Sequence, residues 1–149
     1  MLQKFFENFN KIVNEIVAEF DMEYSAYLGE EFSVDIISNK VSYALVVPEQ
    51  STENFVADFV SRFPLAKNYN PFFLSLLHEI GHLETIDEMV DDIADRETID
   101  DDFEYFNLFN ERIATDWAGC WLQDNEKLAE KFNERIETCL FGLYSQLSA

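Results

Sequence analysis

Apolar side chains recur every three or four positions in several stretches of this chain, which is the spacing of helices that bury one face. The longest unbroken pattern begins at Leu2 and ends at Phe20. A shorter pattern opens at Ser51, whose hydroxyl is a common helix cap, and runs to Phe63, where Pro64 ends it. The spacing therefore predicts an N-terminal helix over residues 2–20 and a short helix from about residue 51 to 63.

Three more helices are predicted in the second half of the chain. Asn70-Pro71 is a helix start, because asparagine can cap the first turn and proline lacks only an N–H that would go unpaired there. The helix that follows carries the apolar stripe Phe73, Leu76, Leu77, Ile80 and Leu83. A helix over about residues 103–123 is expected to bury Phe106, Phe109, Ile113, Trp117, Cys120 and Trp121. A final helix from about Leu128 is expected to close the core.

Two runs rich in β-branched and aromatic residues, Phe32–Ile37 and Val41–Val47, flank the turn-forming sequence Ser38-Asn39-Lys40. They predict a β-hairpin, with a third strand around Tyr24–Leu28. Helices and a small sheet in this order predict an α+β fold. With 149 residues, 48% of them hydrophobic, the chain is expected to form one domain over residues 1–149.

Charge narrows the range of functions. The formal net charge is -20, from 30 acidic and 10 basic side chains, so nucleic-acid phosphates would repel this surface and direct binding to nucleic acid is not expected. Much of the excess lies in residues 84–104, where a solvated loop and a flap over a cleft are both compatible with the composition. The acidic residues of this segment are Glu84, Asp87, Glu88, Asp91, Asp92, Asp95, Glu97, Asp100, Asp101, Asp102 and Glu104.

Two further features concern the compartment. No apolar run approaches the roughly eighteen residues of a membrane span, and the polar N-terminus does not fit a signal peptide. We therefore expect a soluble cytoplasmic protein without a membrane partner. Cys120 and Cys139 have no C-x-x-C spacing and are expected to be buried free thiols.

Both histidines of the chain fall in one five-residue stretch, His78-Glu79-Ile80-Gly81-His82, which is the H-E-x-x-H pattern of zinc hydrolases. On a helix the two imidazoles lie four residues apart on one face, close enough to share a metal ion, and Glu79 projects beside them. The pattern predicts a zinc site with Glu79 as general base. A surface helix that carries two histidines by chance is the alternative.

A catalytic zinc ion takes three protein ligands, and without a third histidine a carboxylate or a thiolate must complete the set. Glu111 is favoured, because Ala114 and Ala118 share its helical face and small side chains let this helix approach the histidine helix closely. Gly81 fits such an approach from the other side. Asp116 and the acidic segment are the alternatives for the third ligand.

The chain resembles the gluzincin metallopeptidases, particularly the compact ImmA/IrrE-like group, in His78–His82 and in Glu111-Arg112-Ile113-Ala114-Thr115-Asp116-Trp117-Ala118. That group pairs a H-E-x-x-H helix with a downstream E-x-x-A-[ND]-x-x-A helix. The resemblance implies a small zincin-like domain in which an edge strand aligns an extended peptide and zinc is held by His78, His82 and Glu111, with Glu79 as base. Thr115 departs from the pattern, which has Asn or Asp there, but its hydroxyl can still bond a histidine ligand.

The implied activity is that of a zinc metalloendopeptidase acting on a specific intracellular protein. The acidic surface favours a basic target, such as a DNA-binding regulator. Tyr43, Tyr105 and Arg112 are candidates for a second donor to the oxyanion, and the sequence does not choose among them. Val41–Val47 is either the edge strand that pairs with the substrate or an ordinary core strand.

The rival hypothesis is an acidic binding module without turnover, whose charge imitates nucleic acid and blocks the basic groove of a DNA-binding protein. The net charge supports it. The intact Glu79 argues against it, since a structural zinc site is normally closed by four protein ligands and needs no glutamate beside the first histidine.

Overall fold

A computed structural model describes the backbone of residues 2–45, 49–86 and 103–148, and the side chains of 2–45, 54–86, 110–143 and 145. The elements in chain order are α1 (Leu2–Phe20), β1 (Ser25–Leu28), β2 (Ser33–Asp35), β3 (Lys40–Tyr43), α2 (Glu49–Arg62), a short 3-10 helix (Pro64–Asn68), α3 (Pro71–Glu84), α4 (Phe103–Asp124) and α5 (Glu126–Ser148). The predicted α+β arrangement is confirmed. None of the described helices is both long and apolar enough to cross a lipid bilayer.

The three strands form a mixed sheet. β2 and β3 are antiparallel, with Val34 opposite Val41, and form the predicted hairpin. Asn39 in the turn has a φ of 58°, a left-handed conformation that asparagine adopts more readily than most residues. The third strand, β1, pairs with β3 in parallel, with Ala26 opposite Val41.

The strand order is β1-β3-β2, which decides between the two predictions for the strand beginning at Val41. The sequence left open whether the strand beginning at Val41 is a free edge or a core strand, and β3 is the central strand because β1 and β2 pair with its two sides. Residues 46 and 47 of the predicted strand lie outside the described residues. The outer strand next to α3 is β2.

Helix α3 lies at the centre of the core. Every residue from Phe72 to Leu83 except Ser75 is buried. The predicted cap is present, because Asn70 Oδ1 accepts the N–H of Phe72 at 2.8 Å. The N–H of Asn70 in turn donates to Asn133 Oδ1 of α5 at 2.8 Å. A helix capped and enclosed in this way gives its side chains a rigid support.

The face that α4 buries is only partly the predicted one. Ala114, Ala118 and Leu122 are fully buried, whereas Trp117 and Trp121 are half-buried and Cys120 is exposed. The small residues face α3, so the aromatic residues are turned toward the ends of α1 and α5, where Phe20 and Phe132 contact Trp121. The prediction of a buried thiol is therefore wrong for Cys120. Cys139 is half-buried, and both cysteines are free thiols, as predicted. Two other residues of the predicted α4 face, Phe106 and Phe109, have side chains outside the described part of the chain.

Gly81 sits where α3 and α4 cross. A Cβ built on Gly81 would lie 2.6 Å from the carbonyl oxygen of Ala114 and 3.1 Å from its Cα. Since the obstructing atoms belong to a backbone, no side-chain movement could relieve the overlap. Glycine at this position lets the two backbones meet, as the sequence predicted.

Gly81→Ala is expected to destabilise the protein, although alanine is the better helix former. At an unhindered helical position this change stabilises by up to about 1 kcal/mol. At Gly81 we expect the free energy of unfolding, measured by urea denaturation, to fall by about 1–3 kcal/mol because the methyl group overlaps α4. Gly142 in α5 is the matched control, since a Cβ there meets no atom within 4 Å. Equal stability of the two alanine variants would contradict the close approach.

Candidate metal centre

Helix α3 presents both histidines on one face. The ring centroids of His78 and His82 are 4.7 Å apart and the rings are nearly perpendicular, at 87°. Both imidazoles are buried, with 5% and 8% of each residue exposed. Phe55 of α2 packs edge-on against His78, with ring centroids 5.4 Å apart, and restricts the orientation of that imidazole.

Glu111 reaches both imidazoles from α4. Its Oε2 lies 2.6 Å from His78 Nε2 and its Oε1 lies 3.1 Å from His82 Nε2. The potential ligand atoms of the three residues lie within 4.8 Å of one another, and among the described residues no other group of three His, Cys, Asp or Glu side chains comes as close. Burial raises the pKa of Glu111, but hydrogen bonds from the two histidines outweigh it and hold that pKa well below its usual range.

Asp116, one of the alternatives for the third position, is not part of this triad. Asp116, five residues after Glu111, forms an ion pair with Arg62 of α2 instead. Most of the acidic segment, residues 87–102, lies outside the described residues. Neither cysteine belongs to the group, and Cys120 is exposed on another face of α4. The structure thus brings together the three residues that the sequence favoured.

Thr115 holds the other nitrogen of His78. Its Oγ1 lies 2.8 Å from His78 Nδ1, and both groups are buried. In the tautomer that binds a metal ion through Nε2, Nδ1 carries the proton and donates to this hydroxyl, whereas without a metal Nε2 is the nitrogen that can donate to Glu111. Thr115 therefore orients the ring so that Nε2 points into the site. Metal-binding histidines are commonly oriented by such a hydrogen bond to their other nitrogen.

Asn110 is a site residue that the sequence reasoning missed. Burial lowers the pKa of His82, but hydrogen bonding to Glu111 and, to a smaller extent, to Asn110 raises it overall. Asn110 Oδ1 is buried and has no hydrogen-bond partner of regular geometry among the described residues. The spacing of apolar residues in α4 does not distinguish Asn110 from a surface residue. Whether Asn110 faces the histidines depends on how α4 is rotated about its own axis, which this spacing did not predict.

Glu79 faces the sheet side of the triad. It is 9% exposed, and burial raises the pKa of its carboxyl despite the nearby histidines. With His82, Asn110 and Glu111 it lines a cleft of about 240 Å³, called here the strand-side cleft. The opposite wall of that cleft consists of Phe32, Ser33, Val34 and Ile36, which belong to β2 or directly flank it.

A second cleft, of about 600 Å³, opens on the other side of Glu111 between α2 and α4. We call it the α2–α4 cleft; its lining residues are Phe55, Asp58, Arg62, His78, Glu111, Arg112 and Thr115. Of the two oxyanion candidates whose side chains are described, Tyr43 and Arg112, only Arg112 lies near the triad. Tyr43 does not, because it is buried in the core, where its hydroxyl donates to Asn10 Oδ1 at 2.7 Å and burial raises its pKa to about 12. The side chain of Tyr105 lies outside the described residues.

The donor set suits a divalent metal ion. Two imidazoles and one carboxylate converge, Glu111 remains 53% exposed, and two clefts lead to it, so a fourth position is open to a small molecule. A site with three protein donors and an open position is typical of catalysis, whereas structural sites are normally closed by four.

Comparison with known proteins gives no relative for this chain. No protein-family model, curated protein or solved structure matches it.

Thr115→Val removes the hydroxyl with little change in shape. We expect zinc to bind about 10–100-fold more weakly, because the His78 ring loses the bond that orients it. Competition with a chromophoric chelator measures this affinity. Thr115→Ser is the matched control and is expected to bind zinc nearly as the native chain does. Unchanged affinity in a folded valine variant would mean that the hydroxyl does not hold the imidazole.

Proposed function

We propose that this chain is a zinc-dependent metallopeptidase that hydrolyses peptide bonds in a specific protein. The observation that carries the proposal is the convergence of His78, His82 and Glu111, with Glu79 on the same helix facing an open cleft. Two imidazoles and a carboxylate on packed helices, with a second carboxylate beside them, form the set that metal-assisted hydrolysis of an amide requires.

Zinc is the metal we assign. It accepts nitrogen and carboxylate ligands in a four-coordinate site, and the triad offers two of the former and one of the latter. When bound, zinc acidifies a water molecule and polarises the scissile carbonyl. His78 is held for this task by Thr115, and both imidazoles are kept in place by the buried helix that carries them.

Glu79 acts as the general base. Its carboxylate lines the strand-side cleft together with His82 and Glu111, so it adjoins the position where a water and a peptide carbonyl would meet. It accepts the proton of the attacking water and delivers it to the leaving amine. No other carboxylate lines this cleft among the described residues except Glu111, which the two histidines engage.

Strand β2 aligns the substrate. It is an outer strand of the sheet, and Ser33 and Val34 border the cleft that contains Glu79. An extended peptide that adds to the outer side of β2 would pass over the triad, held by main-chain hydrogen bonds that demand little of its sequence. This assigns to β2 the role that the sequence offered to the strand beginning at Val41.

The target we propose is a basic protein. A net charge of -20 produces a negative potential over the surface, which speeds the approach of a positively charged partner and slows that of an acidic one. A DNA-binding regulator carries the required charge. If the enzyme cleaves only one such partner, it would show no activity toward unrelated peptides and proteins.

The same charge supports a second candidate function, an acidic module that occupies the basic groove of a DNA-binding protein without cleaving it. The two functions differ in their dependence on Glu79. A stoichiometric complex that dissociates at high salt and is unaffected by Glu79→Gln would favour the binding module. Cleavage of the bound partner by the native chain would favour the peptidase.

Glu79→Gln is expected to lower the rate of peptide hydrolysis about 100-fold or more, because an amide cannot take the proton of the attacking water. Zinc should stay bound, because residue 79 is not one of the three metal ligands. The measurement is the appearance of new protein N-termini, identified by mass spectrometry, after the zinc-loaded chain is incubated with a cell lysate. Zinc content is determined on the same preparations.

Glu84→Gln is the matched control for this experiment. It removes the same charge from the same helix, but Glu84 is exposed and accepts a hydrogen bond from Tyr24 rather than lining the cleft. We expect its cleavage products to match those of the native chain. If Glu79→Gln gave the same products at the same rate, Glu79 would not be the base and the mechanism would be wrong.

A further inference from the structure

The α2–α4 cleft is lined by two arginines, Arg62 and Arg112, and by two carboxylates, Asp58 and Glu111. The chain has four arginines, and two of them, Arg62 and Arg112, line this one cleft. The cleft also contains His78 and Glu111, so it is continuous with the triad. A ligand held at the metal could therefore extend a side chain or a chain end into it.

The two arginines differ in their partners. Arg62 forms ion pairs with Asp58 on its own helix, at 3.8 Å, and with Asp116 of α4. Its charge is balanced by these carboxylates, and it ties α2 to α4. Arg112 forms no ion pair with any residue in the described part of the chain and is exposed in the cleft wall. Among the described residues, no carboxylate forms an ion pair with its guanidinium, which lies in the cleft wall where an anion could reach it.

We propose that the α2–α4 cleft is a subsite for a carboxylate of the substrate, with Arg112 as the residue that binds it. The proposal rests on the metallopeptidase function argued above and adds a preference that the net charge alone would not give. A guanidinium offers parallel N–H donors that match the two oxygens of a carboxylate, and Phe55 provides an apolar wall for the methylene groups next to it.

This preference is compatible with a basic target. Long-range attraction depends on the charge of the whole surface, whereas selection at the subsite depends on one arginine within a few ångströms. The substrate would then be basic overall and carry one carboxylate near the scissile bond. That carboxylate has two possible sources, the side chain of Glu or Asp and the C-terminus of the peptide.

Dipeptide hydroxamates test the proposal without turnover, because the hydroxamate binds zinc and is not hydrolysed. Three compounds, each with the hydroxamate at the N-terminal end, form two pairs. The first pair carries glutamate or glutamine with an amidated C-terminus, the second carries glutamine with a free or an amidated C-terminus, and the neutral glutamine amide belongs to both. Their affinities for the zinc-loaded native chain are measured by isothermal titration calorimetry. We expect about tenfold tighter binding of the carboxylate in at least one pair, and the pair identifies its source.

Arg112→Gln is expected to abolish that preference while the neutral compound binds as before. Arg135→Gln is the matched control, since it removes the same charge from α5, where Arg135 pairs with Glu15 outside the cleft, and it should keep the preference. The proposal is overturned if neither carboxylate binds more tightly, if the preference survives Arg112→Gln, or if that variant weakens all three compounds equally, as loss of an oxyanion donor would.

The neutral hydroxamate separates this proposal from the one on which it rests. If it binds only when zinc is present and neither carboxylate compound binds more tightly, the subsite is wrong and the metal site stands. If no hydroxamate binds the zinc-loaded chain, both proposals are overturned together.

Discussion

The contact between Gly81 and the backbone of Ala114 is the constraint on which the site depends. Helices α3 and α4 can cross closely only because Gly81 has no side chain, and Glu111 lies three residues before Ala114 on the same helix. The carboxylate consequently reaches both imidazoles, at 2.6 and 3.1 Å. A wider crossing would leave two histidines and a glutamate on separate helices, without a common position for a metal ion.

The triad is held by a rigid core and is at the same time accessible from solvent. Helix α3 packs against α2, the sheet, α4 and α5, Phe9 of α1 contacts its Phe72, and its first turn is capped by Asn70. The site nevertheless lies at the surface of this core, because Glu111 is half exposed between the strand-side cleft and the α2–α4 cleft. The packing thus holds the three side chains in place while two sides of the triad remain open.

Much of the site could be predicted from the sequence because its signals are local. The spacing of His78 and His82 sets their common face within one helical turn, and Asn70-Pro71 marks the start of that helix. Glu111 could be inferred because the glycine and the alanines that allow the crossing are visible as small residues at helical spacing. The family resemblance drew attention to Thr115, whose bond to His78 is present.

The features that escaped prediction are those set by contacts between distant segments. The parallel pairing of β1 with β3 makes β3 central and leaves β2 beside the site, and no local pattern encodes that order. The exposure of Cys120 and the proximity of Asn110 to His82 both follow from the rotation of α4, which its small residues determine. The spacing of apolar residues identified the aromatic face of α4. It did not show that the face with Ala114 and Ala118 is the one buried most deeply in the core.

If His78, His82 and Glu111 bind one metal ion together, removal of any one of them must weaken binding. Elemental mass spectrometry measures this on the chain purified without chelator and exposed to zinc, with Glu111→Ala for comparison. Asp116→Asn is the control, at a carboxylate of the same helix that engages Arg62. We expect one zinc per chain in the native protein and the control, and loss of zinc in Glu111→Ala. A native chain that binds no zinc, or a Glu111→Ala variant that retains it, would mean that these three residues do not form a metal site.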